Sequence, residues 1–147
     1  TFTAADPPLP SPMVPFFDAG GFKHTLVDHR GRVVLVNFWT TWCPPCIREM
    51  ALLDRLQAKL GGKDFEVLTI SQDRGGVEIV KRFFRANNLG DLPIFIDRGS
   101  RLGGAFSQNL LPTSILLDKR GREVGRLVGG AEWDSEEAVA LIKRYIN

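Results

Sequence analysis

The stretch VVLVNFWTTWCPPCIREM, residues 33–50, decides the fold class of this chain. It opens with an apolar and largely β-branched run at 33–40, which is typical of a strand covered on both faces of a sheet. The chain's two cysteines, Cys43 and Cys46, follow that run directly. Beyond them, apolar residues recur at helical spacing, at Ile47, Met50, Leu53, Leu56 and Leu60. The stretch therefore predicts a buried strand followed at once by a helix that begins at the cysteines.

Alternation of strands and helices continues after this stretch. Strands are predicted at 65–71 and 92–97, helices at 77–89 and 134–146, and a short helical stretch near 102–106. Residues 113–130 predict two strands joined at Lys119–Gly121 as an antiparallel hairpin. Asp134 or Ser135 is expected to cap the last helix. This order predicts a three-layer α/β domain with a central mixed β-sheet.

The region before the first buried strand has a different composition. Residues 1–15 hold five of the nine prolines, which predicts an extended lead-in ahead of a single domain at 16–147. Residues 16–32 predict a short hairpin or arm. The chain starts at Thr1, so we expect that a targeting or anchoring segment has been removed or lies outside it.

Composition excludes several classes of function. A length of 147 residues with 44% hydrophobic content fits one compact core. The net charge of +2 predicts no strong field for nucleic acid or a membrane surface, and we expect a monomer. No apolar run approaches the roughly 20 residues that span a bilayer. Two cysteines are too few for a disulfide framework, so their close spacing indicates chemistry.

The position of the cysteine pair indicates redox chemistry. A helix start has unpaired N–H groups and partial positive charge, and both favour a thiolate over a thiol. Because the thiolate attacks in disulfide exchange, Cys43 is the candidate nucleophile, and the more shielded Cys46 is the candidate resolving cysteine. Pro44 and Pro45 are tolerated between them, since the first turn of a helix needs no intrahelical N–H donors.

Two other interpretations of the cysteines are weaker. His24 and His29 would complete a four-ligand zinc set, but the order and the 13-residue gap before Cys43 are unusual. We therefore interpret the histidines as ordinary polar residues and predict no metal site. A purely structural disulfide that closes so small a loop would add little stability.

The run VVLVNFWTTWCPPC followed by REM resembles the active-site region of thioredoxin-fold proteins, in particular the bacterial TlpA-like and ResA-like thiol–disulfide oxidoreductases. The similarity extends over residues 16–146 and includes LVDHRGRVVLVNFW upstream and LLPTSILLDKRGREVGRLVGG downstream. It implies a thioredoxin fold whose dithiol, Cys43 and Cys46, cycles with a disulfide, and it implies no other cofactor.

The resemblance also implies a client-binding surface. Pro112 matches the cis-proline loop of the family, so Leu111, Pro112 and Thr113 are expected to flank the dithiol and pair with an incoming peptide. Trp42 matches an exposed aromatic residue that shapes the contact surface. Trp39 is expected in the core, and the proline that opens the strand at 92–97 is interpreted as structural.

The sequence departs from the family at one position. Many thioredoxins have a buried aspartate six residues before the first cysteine, where this chain has Asn37. An amide cannot accept a proton, so an acid or base for Cys46 must come from elsewhere or from water. Asp73 and Glu132 are the candidates. Glu49 is interpreted as a surface residue compatible with the helix dipole.

The two prolines predict the direction of electron flow. A thiolate at Cys43 can draw on N–H groups at the next three positions, and only Cys46 has one. Fewer hydrogen bonds to the charged form imply a less depressed pKa for the Cys43 thiol and a weaker oxidant. We therefore predict a reductase of protein disulfides, consistent with the roles of TlpA-like proteins in apocytochrome c or copper-site maturation.

The resemblance implies a periplasmic or other extracytoplasmic location, with an anchor outside this chain as one arrangement. The expected partners are protein thiol or disulfide clients and an upstream electron donor, a membrane thiol–disulfide transporter. Two alternatives remain open. One is a cytosolic tryparedoxin-like or nucleoredoxin-like reductase, which also uses W-C-P-P-C. The other is a module that holds copper(I) with its dithiol. A peroxidase of the related fold is disfavoured because a T-x-x-C loop is absent.

Overall fold

A single eight-stranded sheet forms the centre of the computed structural model, which describes residues 1–147. Its strands are β1 Phe2–Leu9, β2 Phe16–Asp18, β3 Lys23–His24, β4 Val33–Trp39, β5 Phe65–Ser71, β6 Phe95–Ile96, β7 Thr113–Leu117 and β8 Glu123–Val128. The spatial order is β1-β8-β7-β4-β5-β6-β2-β3. The central strands β4, β5 and β6 are parallel and the others pair antiparallel. The predicted mixed sheet is confirmed.

Helices cover both faces of the sheet. They are α1 Pro44–Leu60, α2 Val77–Ala86, α3 Arg101–Ala105 and α4 Glu136–Ile146, with a 3₁₀ helix at Leu26–His29. One core cluster joins buried residues of α1, α2 and α4 to one face, and a second joins α3 and the 3₁₀ helix to the other. Side chains of β4 alternate between the two cores, so every residue of this strand is buried. None of the helices is both long and apolar enough to cross a membrane.

Part of the proline-rich segment belongs to the sheet, since Phe2–Leu9 form strand β1, whereas residues 1–15 are predicted as an extended lead-in ahead of the domain. Strand β1 pairs antiparallel with β8, and Phe2 lies opposite Leu127. The ring of Phe2 occupies the space above Gly125, where any Cβ would collide with it. Proline lacks an N–H donor, so it is tolerated here because β1 is an edge strand. The Asp6–Pro7 peptide bond is cis.

The arm at 16–32 places both histidines away from the cysteines. His24 is hydrogen-bonded to Asp18 at 2.9 Å and His29 to Glu66 at 2.6 Å. Both rings stack on Phe16, which belongs to the core opposite the one that contains the cysteines. The four residues of the zinc alternative are therefore not brought together. The strand predicted at 92–97 is shorter than expected and spans only Phe95–Ile96.

Candidate active site

The cysteine pair lies where β4 ends and α1 begins. Cys43 is the N-cap of α1, with extended backbone angles, and its Sγ accepts a hydrogen bond from the Cys46 N–H at 3.3 Å. Pro44 and Pro45 occupy the first two helical positions. Cys43 and Cys46 are joined as a disulfide. The Cys46 N–H is thus the one backbone donor that the cap sulfur has in the first turn, as the sequence predicts.

Burial differs sharply among the residues around the pair. Both cysteines are nearly inaccessible, Cys46 more so than Cys43, whereas Trp42 is 70% exposed. Trp39 is buried and packs against Phe83 and Phe84 with ring centroids 5.1 and 6.0 Å away. An exposed aromatic residue therefore directly precedes Cys43 in the chain, while Trp39 belongs to the buried core cluster that contains both cysteines.

The loop that ends in Pro112 packs against the same region. The Leu111–Pro112 peptide bond is cis, and Leu111 packs against the core cluster that contains both cysteines. The Pro112 carbonyl accepts a hydrogen bond from Gly129 N–H at 2.7 Å. A Cβ added to the next residue, Gly130, would lie 3.7 Å from the Pro45 carbonyl oxygen. The segment after β8 therefore bridges the proline loop and the first turn of α1.

A groove of about 400 Å³ is lined by Trp42, the residue before Cys43, and by Leu111, Ile79 and Arg74 among others. The side chain of Thr113, the third residue of the predicted client-binding loop, is buried. Its hydroxyl donates to the Leu110 carbonyl at 2.7 Å, so its side chain holds the proline loop in place.

Glu49 is buried, which corrects its interpretation as a surface residue. Its side chain is 2% exposed and projects from α1 one turn after Cys46. Oε1 accepts from Asn37 Nδ2 at 2.9 Å, and Oε2 accepts from Ala131 N–H at 2.8 Å and from Trp133 Nε1 at 2.9 Å. Residues three apart on a helix have Cβ atoms about 5–6 Å apart, so Glu49 is a neighbour of Cys46.

Burial changes the acidity of Glu49. Desolvation raises the pKa of this carboxyl to about 7, and the three hydrogen bonds oppose but do not cancel that effect. Glu49 also lines a cavity of about 360 Å³ together with Arg48 and the exposed Glu132. A carboxyl that titrates near neutrality beside Cys46, with a route to solvent, can accept and release a proton.

The two residues that were predicted as candidate acids have other surroundings. The Asp73 carboxylate accepts from the Thr41 N–H and from the hydroxyls of Thr41 and Ser71, at 2.7 to 3.1 Å. Asp73 therefore fixes the turn between β4 and α1. Glu132 lines the same cavity as Glu49, but its side chain is exposed to solvent rather than packed beside Cys46.

A sequence signal for Glu49 existed but was misassigned. The predicted stripe begins at Ile47, which is more than one third exposed, whereas the buried stripe consists of Cys46, Glu49, Met50, Leu53 and Leu56. The two stripes share Met50, Leu53 and Leu56, and Glu49 lies four residues before Leu53 and seven before Leu56, so helical spacing already places it on the buried face. A glutamate at i+3 from a buried cysteine was the missed signal.

Comparisons with known proteins agree with this site. A protein-family model described as redoxin matches residues 6–142. The thiol-disulfide oxidoreductase ResA of Bacillus cereus is 38% identical over 112 residues, which cover 76% of this chain and 64% of ResA. The alignment thus spans less than two thirds of that relative's length.

Solved structures share the fold. A protein described as a thiol:disulfide interchange protein DsbE from Chlorobium tepidum superposes with a TM-score of 0.84 at 24% identity, over 95% of this chain and 97% of that one. A thiol-disulfide oxidoreductase structure from Bacteroides vulgatus gives 0.78 at 27% identity, over 92% and 94%. The fold is therefore the thioredoxin fold. The chain belongs to the redoxin family and is similar within it to the ResA-like thiol–disulfide oxidoreductases.

Proposed function

We propose that this protein is a thiol–disulfide oxidoreductase that reduces disulfides of client proteins outside the cytoplasm. The observation that supports it best is the Cys43–Cys46 disulfide at the start of α1, where Cys43 caps the helix with a single N–H donor. Such a site stabilises a thiolate enough for attack but less than a full set of donors would. The reduced form therefore remains a good electron donor.

The reaction has two exchange steps. In the dithiol form, the Cys43 thiolate attacks a client disulfide, forms a mixed disulfide and expels one client thiolate. Cys46 then loses its proton and attacks the Cys43 sulfur, which releases the second client thiolate and forms the Cys43–Cys46 disulfide. Two electrons pass to the client in total. A dithiol donor, which we propose to be a membrane thiol–disulfide transporter, restores the reduced form by the reverse exchange.

Glu49 is the proton acceptor for the second step. Cys46 is the more buried cysteine, so bulk water has poor access to its thiol. The Glu49 carboxyl lies one turn away, titrates near neutrality and adjoins a cavity that can return the proton to solvent. The site therefore has a base in Glu49, although Asn37 cannot accept a proton.

Client binding uses the exposed surface around the pair. Trp42, which precedes Cys43, and Leu111, which precedes Pro112, line the groove, and we propose that an extended client segment binds there. The extracytoplasmic setting, and clients in cytochrome c or copper-site maturation, rest on the resemblance to ResA-like and TlpA-like proteins.

Reduction of insulin by dithiothreitol tests the activity. We expect the wild type to accelerate it and Cys43→Ser to abolish the acceleration, because the attacking sulfur is lost. Cys46→Ser should accumulate mixed disulfides with the natural client, and mass spectrometry of these adducts identifies that client. No acceleration by the wild type, combined with tight copper(I) binding, would favour the metal-holding alternative.

Equilibration with glutathione tests the direction of electron flow. A reductant should have a potential well below that of the strong periplasmic oxidant, which is about −120 mV. A value as oxidising as that one would contradict the proposed reductase.

A further inference from the structure

The side-chain amide of Asn37 has an unbalanced set of hydrogen bonds. Asn37 is completely buried on β4, and its Nδ2 donates to Glu49 Oε1 and to Ser114 Oγ, both at 2.9 Å. Its Oδ1 is buried with no hydrogen-bond partner. A buried acceptor without a partner costs about as much as a lost hydrogen bond, so this orientation of the amide is not uniquely favoured.

The hydrogen bonds of Glu49 fit only its ionised form. All three partners of its carboxyl, which are Asn37 Nδ2, Ala131 N–H and Trp133 Nε1, are donors. A protonated carboxyl must itself donate from one oxygen. Oε2 already faces two N–H groups that cannot accept, so a proton on Glu49 belongs on Oε1, which faces the Asn37 amide.

We propose that the Asn37 amide reverses its orientation when Glu49 binds a proton, and so acts as the positioning residue that lets this buried carboxyl alternate between its two forms. A half-turn of the amide brings Oδ1 to the place of Nδ2. There it accepts from Glu49 Oε1–H and from the Ser114 hydroxyl, which can turn from acceptor to donor. This inference rests on the proposed role of Glu49 as proton acceptor.

A second unpartnered group makes the reversal feasible. In the sheet register, Asn37 lies between Ser114 on β7 and Thr69 on β5. Because Nδ2 is on the Ser114 side, the other edge of the amide faces the β5 side. The Thr69 hydroxyl is also buried with no partner. In the present orientation Oδ1 and the Thr69 hydroxyl are not bonded to each other, whereas the reversed amide directs Nδ2 to that side, where the hydroxyl can accept from it.

Among the ionisable groups nearby, Glu49 is the one whose protonation sets the orientation of the Asn37 amide. On α1, the neighbouring ionisable groups are Cys46, which delivers the proton, and Arg48, which lines the cavity. Glu132 lines the same cavity from the segment after β8. The residues that β5 and β7 place beside the amide are hydroxyls, so no other charge touches it.

Nuclear Overhauser effects from the Asn37 side-chain amide hydrogens test the reversal in the wild-type protein. With Glu49 ionised, we expect contacts from Nδ2–H to the Ser114 Hβ atoms. With Glu49 protonated, we expect these to be lost and contacts to the Thr69 methyl group to appear, with the same midpoint as the Glu49 carboxyl ¹³C signal. The Asn37→Asp variant assigns the resonance, because it alone should lose it.

An amide whose contacts stay with Ser114 throughout the Glu49 titration would overturn the proposal. So would a Glu49 carboxyl that does not titrate between about pH 5 and 9, the range around neutrality that a proton acceptor must use. The isosteric Thr69→Val variant supplies a second measurement. It removes the acceptor that the reversed amide needs, so the Glu49 midpoint should move to lower pH, and an unchanged midpoint would contradict the reversal.

These measurements do not depend on turnover. If the protein fails the insulin assay but shows the reversal, only the proposed function is refuted. If the protein is a competent reductase but its Asn37 amide does not reverse, only this inference is refuted.

Discussion

The Pro45→Ala substitution should make the protein a stronger oxidant. An N-cap side chain accepts hydrogen bonds from the second and third helical positions rather than from all of the next three residues, and in this helix only the third, Cys46, has an N–H to donate. Alanine at position 45 restores the missing donor without changing any charge. The added hydrogen bond stabilises the Cys43 thiolate, which exists only in the reduced protein, so the reduced form becomes more stable relative to the disulfide form.

The size of the effect follows from the strength of that bond. A hydrogen bond to a charged group contributes about 1.5–3 kcal/mol, and about 1.4 kcal/mol corresponds to 30 mV for a two-electron couple. The potential of Pro45→Ala should therefore be about 30–60 mV less negative than that of the wild type, at a pH where Cys43 is ionised. Equilibration with glutathione, followed through the fluorescence of the adjacent Trp42, measures the difference.

Pro44→Ala is the matched control. It removes a proline from the same turn, with a similar effect on the unfolded chain, but restores an N–H at the first helical position, which does not reach the cap side chain. Its potential should stay within about 10 mV of the wild type, because it adds no bond to the sulfur. Equal shifts in both variants, or a more negative potential for Pro45→Ala, would refute the donor argument.

Four further predictions concern the groups around this pair and the edge of the sheet. Glu49→Gln should slow the attack of Cys46 on the mixed disulfide by roughly 100-fold at neutral pH and flatten the pH dependence of that rate. Stopped-flow fluorescence measures the rate, and an unchanged pH dependence would exclude Glu49 as the base. Since the pKa of Glu49 is raised from 4.5 to about 7, its contribution to stability is present below pH 4.5 and is lost as pH rises through 7. Chemical denaturation of the wild type against Glu49→Gln should show a relative loss of about 3 kcal/mol over that interval, and a constant difference would contradict the raised pKa. Gly125→Ala should lower the free energy of unfolding by about 1–3 kcal/mol because its Cβ collides with the Phe2 ring. Gly62→Ala is the control and should not lower it, because the added Cβ has open space. Equal effects of the two substitutions would show that β1 is not anchored at Gly125. Asp73→Ala should cost about 1–3 kcal/mol by leaving the donors of the β4–α1 turn unpaired, and an unchanged denaturation midpoint would rule out this role.

The elements that the sequence predicted well are those with local causes. Strand β4 and helix α1 follow from an apolar run, from the cap at Cys43 and from two prolines that fit a first helical turn. The cap of α4 is Ser135, one of the two residues expected, and its hydroxyl accepts from Ala138 N–H. Each of these signals lies within a few residues of the structure that it specifies.

The features that the sequence did not reveal depend on distant residues. Strand β1 pairs with β8, near the other end of the chain, and nothing in its proline-rich composition indicates that partner. The burial of Glu49 likewise requires donors 82 and 84 residues away, at Ala131 and Trp133. A charged residue on a helix is expected in solvent unless such partners are known, so the helical spacing of Glu49 alone was not enough to predict its burial.

The position of the buried acid explains why an amide suits position 37. Relative to the thioredoxins that the sequence resembles, the carboxyl has moved from the strand to the helix, since Glu49 Oε1 reaches Asn37 Nδ2 at 2.9 Å. An aspartate at 37 would place two carboxyls in one buried site, and their repulsion would raise the pKa of one far above neutrality. An amide instead adds a donor to the Glu49 carboxylate, which opposes the desolvation that raises its pKa. Asn37 therefore helps to keep a single buried carboxyl titrating near a pKa of about 7, where it can exchange protons with Cys46.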